Sequence, residues 1–197
     1  MSLETAATPR ATLDDLMKTP GKAELIGGRI VQFMASGHRP SRLAFRLAKG
    51  LDDYAEAVGR GVAYADGVGF AVPELSSGRE SFSPDAAYYL GPLPENGMDF
   101  IQGAPTLAVE VRSKGDYGKT AERAMAAKRS DYFEAGTLVV WDVDIEGGCI
   151  NVFRSDAPDR PATFIKGQEA DAEPALPGWR LAVSDLFPEP PVGGTAP

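Results

Sequence analysis

Three ionisable residues lie in apolar surroundings, and their types fit metal-assisted cleavage of a phosphodiester bond. Asp85 follows Pro84 in a strand-like run, Glu110 lies inside the apolar segment LAVEV, and Lys128 lies in a helical segment. Carboxylate oxygens are the ligands that hard divalent cations prefer. Such a cation polarises a phosphate and lowers the pKa of an attacking water molecule. A nearby lysine orients that water or offsets the charge that develops in the transition state.

Periodicity predicts that Glu110 points into the protein. In the strand predicted over 106–113, alternation places Val109 and Val111 on one face and Glu110 on the other. A carboxylate among apolar neighbours is costly unless it is paired with a cation or bound to a metal ion. Glu110 is therefore predicted to have a positively charged partner.

Helical spacing makes the same prediction for Lys128. In the helix predicted over 119–135, this lysine shares one face with Ala121, Met125 and Tyr132. An inward-facing lysine requires a carboxylate partner, a phosphate, or a lowered pKa. Two inward acids and an inward lysine together are what metal-assisted hydrolysis of a phosphodiester requires.

Each of the three residues also has a simpler interpretation. An aspartate after a proline, as at Asp85, is typical of a turn. Glu110 can form a salt bridge with Arg112 or Lys128. Lys128 can also pack its aliphatic stem against the core while its amine reaches water. Periodicity alone does not establish that the three side chains meet.

The composition is that of one globular domain. The chain has 197 residues, of which 43% are hydrophobic and 24% charged. No stretch approaches the ~20 uncharged apolar residues of a membrane helix, so no membrane association is expected. The start of the chain lacks the pattern of a secretory signal, and the expected location is the cytoplasm. The single cysteine, Cys149, excludes an internal disulfide.

The net charge of -8 counts against nucleic-acid binding, because cations drive phosphate binding. The excess of acid is concentrated in residues 142–197, which hold ten acidic and four basic side chains. Residues 112–129 instead hold six basic and two acidic side chains. A local basic face can therefore still bind phosphates.

A basic face is also predicted on the helix over residues 40–58. Arg39, Arg42, Arg46 and Lys49 recur at steps of three, four and three residues, so they share one face. Two interpretations are open: a solvated helix face, or an edge that contacts DNA phosphates beside the active-site cleft.

The elements predicted along the chain give a mixed α/β fold around one central sheet. Helices are predicted over 12–18, 40–58, 119–135 and 183–187, a hairpin over 23–34, and strands over 62–65, 67–72, 82–90, 106–113, 137–144 and 150–155. We predict a flexible N-terminus over 1–11, a single domain over 12–187, and a disordered tail over 188–197.

The order of these pieces resembles the Uma2 family, a branch of the PD-(D/E)XK nuclease superfamily with a restriction-endonuclease-like fold. The pieces that carry the resemblance are Glu24-Leu25-Ile26-Gly27-Gly28-Arg29, His38, Pro84-Asp85, Glu110-Val111-Arg112-Ser113, Lys128 with Tyr132 and Gly136, and the strand VVWDVD. They cover roughly residues 12–155. The resemblance implies a central mixed β-sheet flanked by helices.

The resemblance also implies a metal-dependent endonuclease that acts on DNA. Asp85 and Glu110 would be ligands of Mg²⁺ (or Mn²⁺), with the backbone carbonyl of Val111 as a third ligand. Lys128 would be the catalytic cation, and Glu24 a further acid at the site. Nucleases of this superfamily often act as dimers, so the resemblance also allows for a homodimer. No organic cofactor is expected.

Two residues depart from the family pattern. The family usually has an apolar residue where this chain has Arg112, which is the place of the parent superfamily's lysine, and it often has a proline where this chain has Lys114. Arg112 can occupy the place of the phosphate and tune activity, or it can pair with Glu110 and silence the site. The residues expected to contact DNA are Arg39, Arg42, Arg46, Arg112 and Lys114.

Two further hypotheses remain at this point. In one, the chain is a catalytically inert module on a nuclease fold that binds nucleic acid or a protein. In the other, it is a structural homo-oligomer whose basic helix faces bind the acidic tails of its neighbours.

Overall fold

A six-stranded sheet organises the computed structural model, which describes residues 9–187. The predicted tail over 188–197 and most of the predicted flexible N-terminus lie outside the described residues. Within the described part, the Ala11 amide donates to the Gly28 carbonyl, and Arg10 forms ion pairs with Glu74 and Glu80. No helix within 9–187 is both long enough and apolar enough to cross a membrane.

Four helices and thirteen strands make up the described part of the chain. The helices are α1 (Leu13–Met17), α2 (His38–Val58), α3 (Lys119–Glu134) and α4 (Val183–Leu186). The strands are β1 (Ala23–Ile26), β2 (Arg29–Gln32), β3 (Val62–Ala65), β4 (Phe70–Ala71), β5 (Ser81–Phe82), β6 (Ala86–Tyr89), β7 (Ile101–Gln102), β8 (Leu107–Val111), β9 (Val139–Asp144), β10 (Cys149–Arg154), β11 (Ala157–Ile165), β12 (Glu169–Asp171) and β13 (Arg180–Ala182).

The main sheet is mixed and has the strand order β11-β10-β9-β8-β6-β3. Its neighbouring strands are antiparallel except for β8 and β9, which are parallel. A parallel pair cannot be joined by a tight turn and requires a crossover segment. Here α3 is that crossover, and its Lys128 and Tyr132 side chains contact Glu110 of β8.

Alternation along β8 separates two apolar cores. Leu107, Val109 and Val111 pack toward α2 and the segment that ends in α4. On the other face, Ala108 joins a second cluster with Tyr132 of α3 and the small sheet β5-β4-β7. The predicted alternation is therefore confirmed, and Glu110 lies on the α3 side of the sheet.

Local sequence signals account for the ends of several elements. Gly27 and Gly28 have φ values of 58° and 68°, the positive values that a two-residue hairpin loop of this kind requires. Thr12 forms a capping box with Asp15 at the start of α1. Gly59 ends α2 in the left-handed region, as predicted.

The strand β11 is the main element absent from our sequence prediction. It contains Pro158 and Pro161, which normally argue against a strand because proline lacks an N–H. β11 lies at the edge of the sheet, where prolines are tolerated. The predicted strand over 67–72 is also shorter in the structure, which forms only Phe70–Ala71 there.

We predict that Leu47→Ala lowers the free energy of unfolding by about 2–5 kcal/mol, since it leaves a cavity in the core under α2. Leu47 is 0% exposed, whereas Phe45 on the same helix is 55% exposed. The control Phe45→Ala should change the free energy by only about 0.5 kcal/mol. Urea denaturation of the two variants measures both values, and equal losses would contradict the assignment of the buried face of α2.

Candidate active site

The backbone of β8 fixes Asp85 at one end of the main sheet. The Asp85 amide donates to the Val109 carbonyl at 3.0 Å, just before β6 begins. In return, Asp85 Oδ2 accepts a hydrogen bond from the Val111 N–H at 2.7 Å. The carboxylate is therefore held beside the end of β8 that carries Glu110.

Glu110 meets α3 through a single carboxylate oxygen. Its Oε1 lies 2.8 Å from the Lys128 Nζ and accepts a hydrogen bond from the Tyr132 hydroxyl at 2.7 Å. Lys128 and Tyr132 are four residues apart, so they share one helix face, as the sequence predicts. The Glu110 side chain remains 26% exposed.

Glu24 is the most deeply buried acid of the site. Its side chain is 0% exposed, and its Oε1 lies 2.9 Å from the Lys128 Nζ and 3.0 Å from the Ser83 amide. Its other oxygen forms an ion pair with Arg79, which also binds Asp131 of α3 at 2.8 Å. Lys128 thus bridges the two glutamates of β1 and β8.

The hairpin that carries Glu24 is held in place by β5 and the turn before it. The Leu25 amide donates to Ser81 Oγ at 2.8 Å, and the Leu25 carbonyl accepts from the Glu80 amide at 2.9 Å. The Gly27 amide donates to the Gly78 carbonyl. These bonds place Glu24 opposite the end of β8.

The ion pairs shift the pKa values of Lys128 and of the two glutamates that it contacts. Burial raises the pKa of Glu110, although Lys128 opposes this shift. Burial alone would lower the pKa of Lys128, but Glu110 and Glu24 outweigh it and raise that pKa above its ordinary value. For Glu24, burial acts to raise the pKa, but Lys128 and Arg79 prevail and lower it. Lys128 is therefore an ammonium ion and a hydrogen-bond donor here.

Lys22, which we did not single out from the sequence, also belongs to the site. Its Nζ lies 2.6 Å from Asp85 Oδ1 and 2.7 Å from Asp66 Oδ1. A sequence signal existed, because Lys22 precedes Glu24 by two residues and period-two alternation puts both on one face. Asp131 could have been recognised in a similar way, because it lies three residues after Lys128 and therefore on the same face of the helix.

The donors around Asp85 suit a hard divalent cation. Asp85 and Glu110 offer carboxylate oxygens, and the Val111 backbone, whose N–H faces Asp85, directs its carbonyl to the same side of the strand. Within residues 9–187, no three Asp, Glu, His or Cys side chains form a ready-made metal cluster. Two groups of ion pairs lie here: Lys22 contacts Asp66 and Asp85, whereas Arg79 and Lys128 join Glu24, Asp131 and Glu110. Together they contain five carboxylates and three cations. A divalent cation is compatible with this excess of negative charge.

Arg112 is engaged away from Glu110. Its Nε and Nη2 donate to the two oxygens of Asp142 on β9 at 2.7 and 2.8 Å, and Nη1 donates to Glu122 of α3. Asp142 lies opposite Glu110 in the parallel register. Arg112 is only 9% exposed, and its bonds to Asp142 and Glu122 tie α3 to the sheet.

The other residues expected to contact DNA differ in their surroundings. Arg39 and Arg42 are exposed in the first turns of α2, and Lys114 is exposed in the loop after β8. Arg46 instead donates to the backbone carbonyls of Asp185 and Leu186 at 3.3 Å. The start of α2 faces Asp85 across a cavity of about 170 Å³ lined by Ser36, Pro40, Ser41, Ala44, Phe45, Ala65, Asp66 and Asp85.

We predict that Glu24→Gln destabilises the protein by on the order of 3 kcal/mol at neutral pH, because it removes one partner from a buried ion-pair network. The pKa of Glu24 is lowered by folding, so its contribution is present above its ordinary value of 4.5 and is lost as pH falls through the lowered value. The difference between wild type and variant should therefore shrink below about pH 4.5 in urea denaturation.

The exposed Glu95 in the loop after β6 provides a matched control for that measurement. Glu95→Gln should change stability by about 0.5 kcal/mol or less at every pH. A Glu24→Gln deficit that stays constant down to the acid transition would contradict the lowered pKa.

We predict that Asp142→Asn costs on the order of 3 kcal/mol, since it leaves the buried guanidinium of Arg112 without its main carboxylate. Glu122→Gln should cost below about 1 kcal/mol, because the Glu122 side chain is 46% exposed and Asp142 only 5%. Urea denaturation of both variants tests this order, and equal losses would contradict it.

Comparison with known proteins identifies the fold and the family of this chain. The chain is similar to a crystal structure from Anabaena variabilis ATCC 29413, described as "a putative nuclease belonging to DUF820", with a TM-score of 0.70 and 21% identity over 89% of this chain and 97% of that one. At this identity the likeness shows the fold. No curated protein matches the chain. The Uma2 family model, described as "Putative restriction endonuclease", matches residues 11–184. The chain therefore belongs to the Uma2 family.

Proposed function

We propose that this protein is a Mg²⁺- or Mn²⁺-dependent endonuclease that hydrolyses phosphodiester bonds in DNA. The observation that carries the proposal is the convergence of Asp85, Glu110 and Lys128 at one end of β8, beside an open cleft. Family membership supports the reaction class, since the Uma2 description names a restriction endonuclease.

Three groups of the chain are proposed to hold the metal ion: the carboxylates of Asp85 and Glu110 and the backbone carbonyl of Val111. Both hydrogen bonds to Glu110 end on Oε1, so Oε2 is the oxygen available to a cation. When bound, the ion polarises the phosphate and makes an attacking water more acidic.

Lys128 is proposed to act as a fixed ammonium rather than as a base. Its carboxylate partners raise its pKa, so it keeps its protons near neutral pH. It donates hydrogen bonds, and an ammonium in this place orients a water molecule and offsets negative charge on the phosphate. Glu24 holds the Lys128 ammonium in position, and Tyr132 fixes the Glu110 oxygen that it contacts.

The DNA backbone is proposed to approach along the first turns of α2. Arg39 and Arg42 are exposed there, next in the chain to Pro40 and Ser41, which line the cleft together with Asp85. Arginines bind phosphate oxygens without reading base sequence. Charges farther from the phosphate than a Debye length of about 10 Å are largely screened, so the acidic charge in distant parts of the chain weakens this contact little.

The alternative function is an inert nuclease-fold module that binds nucleic acid or a protein partner. One observation favours it: both proposed metal ligands already contact ammonium groups, Asp85 with Lys22 and Glu110 with Lys128. If these ion pairs persist in the presence of metal ions, the site remains closed to them.

The test is cleavage of supercoiled plasmid DNA by the purified protein. We expect nicking with Mg²⁺ or Mn²⁺ and none with EDTA, because the carboxylates need the ion to activate water. Asp85→Asn, Glu110→Gln and Lys128→Met should each lower the rate by at least about 100-fold.

The matched control is Lys18→Met, which removes an exposed ammonium after α1 and should leave the nicking rate unchanged. Cleavage that persists in EDTA, or that survives all three site variants, would overturn the proposal. The absence of cleavage with either metal ion would favour the inert binding module.

A further inference from the structure

The ammonium of Lys22 occupies a point between two carboxylates. Asp85 Oδ1 lies 2.6 Å from the Lys22 Nζ, and Asp66 Oδ1 lies 2.7 Å from it. The Lys22 side chain is 19% exposed and the Asp85 side chain 14%, so this ion pair is screened less than a surface pair. Asp85 thus has one oxygen on Lys22 and the other on the Val111 amide.

The backbone holds Lys22 in this place. Its carbonyl accepts a hydrogen bond from the Phe33 amide at 2.9 Å, which extends the β1–β2 pairing by one step. Glu24, two residues further on, is pinned by Arg79 and Lys128. The ammonium is therefore attached to a fixed strand and is not a loose surface lysine.

Asp66 and Asp85 converge on one point, the Lys22 Nζ, and Asp85 is also one of the proposed metal ligands. This arrangement resembles half of a two-metal site. In such sites a carboxylate bridges two divalent ions. Asp85 is the carboxylate that would be shared: its Oδ1 contacts Lys22, which also contacts Asp66, and its Oδ2 accepts from the amide of Val111, the residue after Glu110. The cation found on the Asp66 side is the Lys22 ammonium.

We infer that Lys22 serves as a built-in second cation, which occupies the site between Asp66 and Asp85 and limits the protein to one divalent ion per chain. The inference rests on the proposed function, because it takes Asp85 and Glu110 as the ligands of that ion. An ammonium has three N–H donors. Two of them are used by Asp66 and Asp85, and the third is available to a phosphate oxygen of the substrate.

The test is the stoichiometry of Mn²⁺ binding, measured by the paramagnetic resonance signal of free Mn²⁺ during titration of the full chain. Wild type should bind one equivalent. Lys22→Met keeps the buried stem but removes the charge, and it should bind two equivalents. Lys22→Gln is a second neutral variant with the same expectation. Lys22→Arg retains a cation and should bind one.

A double variant identifies the second site. Lys22→Met combined with Asp66→Asn should return the stoichiometry to one, because the new ion loses a ligand. Thermal melting without metal establishes that each variant is folded, and it needs no enzymatic activity.

The remaining outcomes separate the inference from the proposed function. If wild type binds one ion and both neutral variants also bind one, Lys22 does not stand in for a second ion and the inference fails alone. Two equivalents in wild type would overturn it as well. If neither wild type nor any Lys22 variant binds Mn²⁺, the proposed metal site itself fails and the inference falls with it.

Discussion

The Lys128 ammonium, shared between Glu24 and Glu110, is the interaction on which the rest of the site depends. It lies 2.9 and 2.8 Å from one oxygen of each glutamate. A carboxylate as buried as Glu24 is tolerated only with compensating cations. Because the two glutamates come from β1 and β8 and the lysine from α3, the same contact joins β1 to two elements that follow much later in the chain. Stability and the geometry of the site are therefore coupled in this protein.

Much of the framework was predictable because it depends on local periodicity. Glu110 and Lys128 were predicted to point inward from alternation in a strand and spacing in a helix, and the structure places both side chains in one ion pair. The Gly27-Gly28 turn and the C-terminal glycine of α2 follow from backbone conformations that glycine adopts readily. The position of Glu24 came only through the family resemblance, since no local pattern marks a carboxylate whose partners are distant.

The parts that escaped prediction depend on contacts between distant segments. Arg79 lies in a turn-rich stretch with no periodic pattern, yet it pairs with Glu24 and Asp131, 55 and 52 residues away. Lys22 precedes Glu24 by two residues, but the partner of Lys22, Asp85, is 63 residues away from it. A charged side chain near a strand end is more often solvated than paired, so these ion pairs become visible only when the fold brings the segments together.

The edge strand β11 restricts how copies of this protein can associate. An exposed edge offers unpaired N–H and C=O groups to another chain, and such pairing leads to continuous intermolecular sheets. Pro158 and Pro161 remove two amide donors from this edge, and Asp159 and Arg160 add charge between them. Sheet extension across β11 is therefore disfavoured in concentrated solution. Any association between copies of this protein would have to use a different surface.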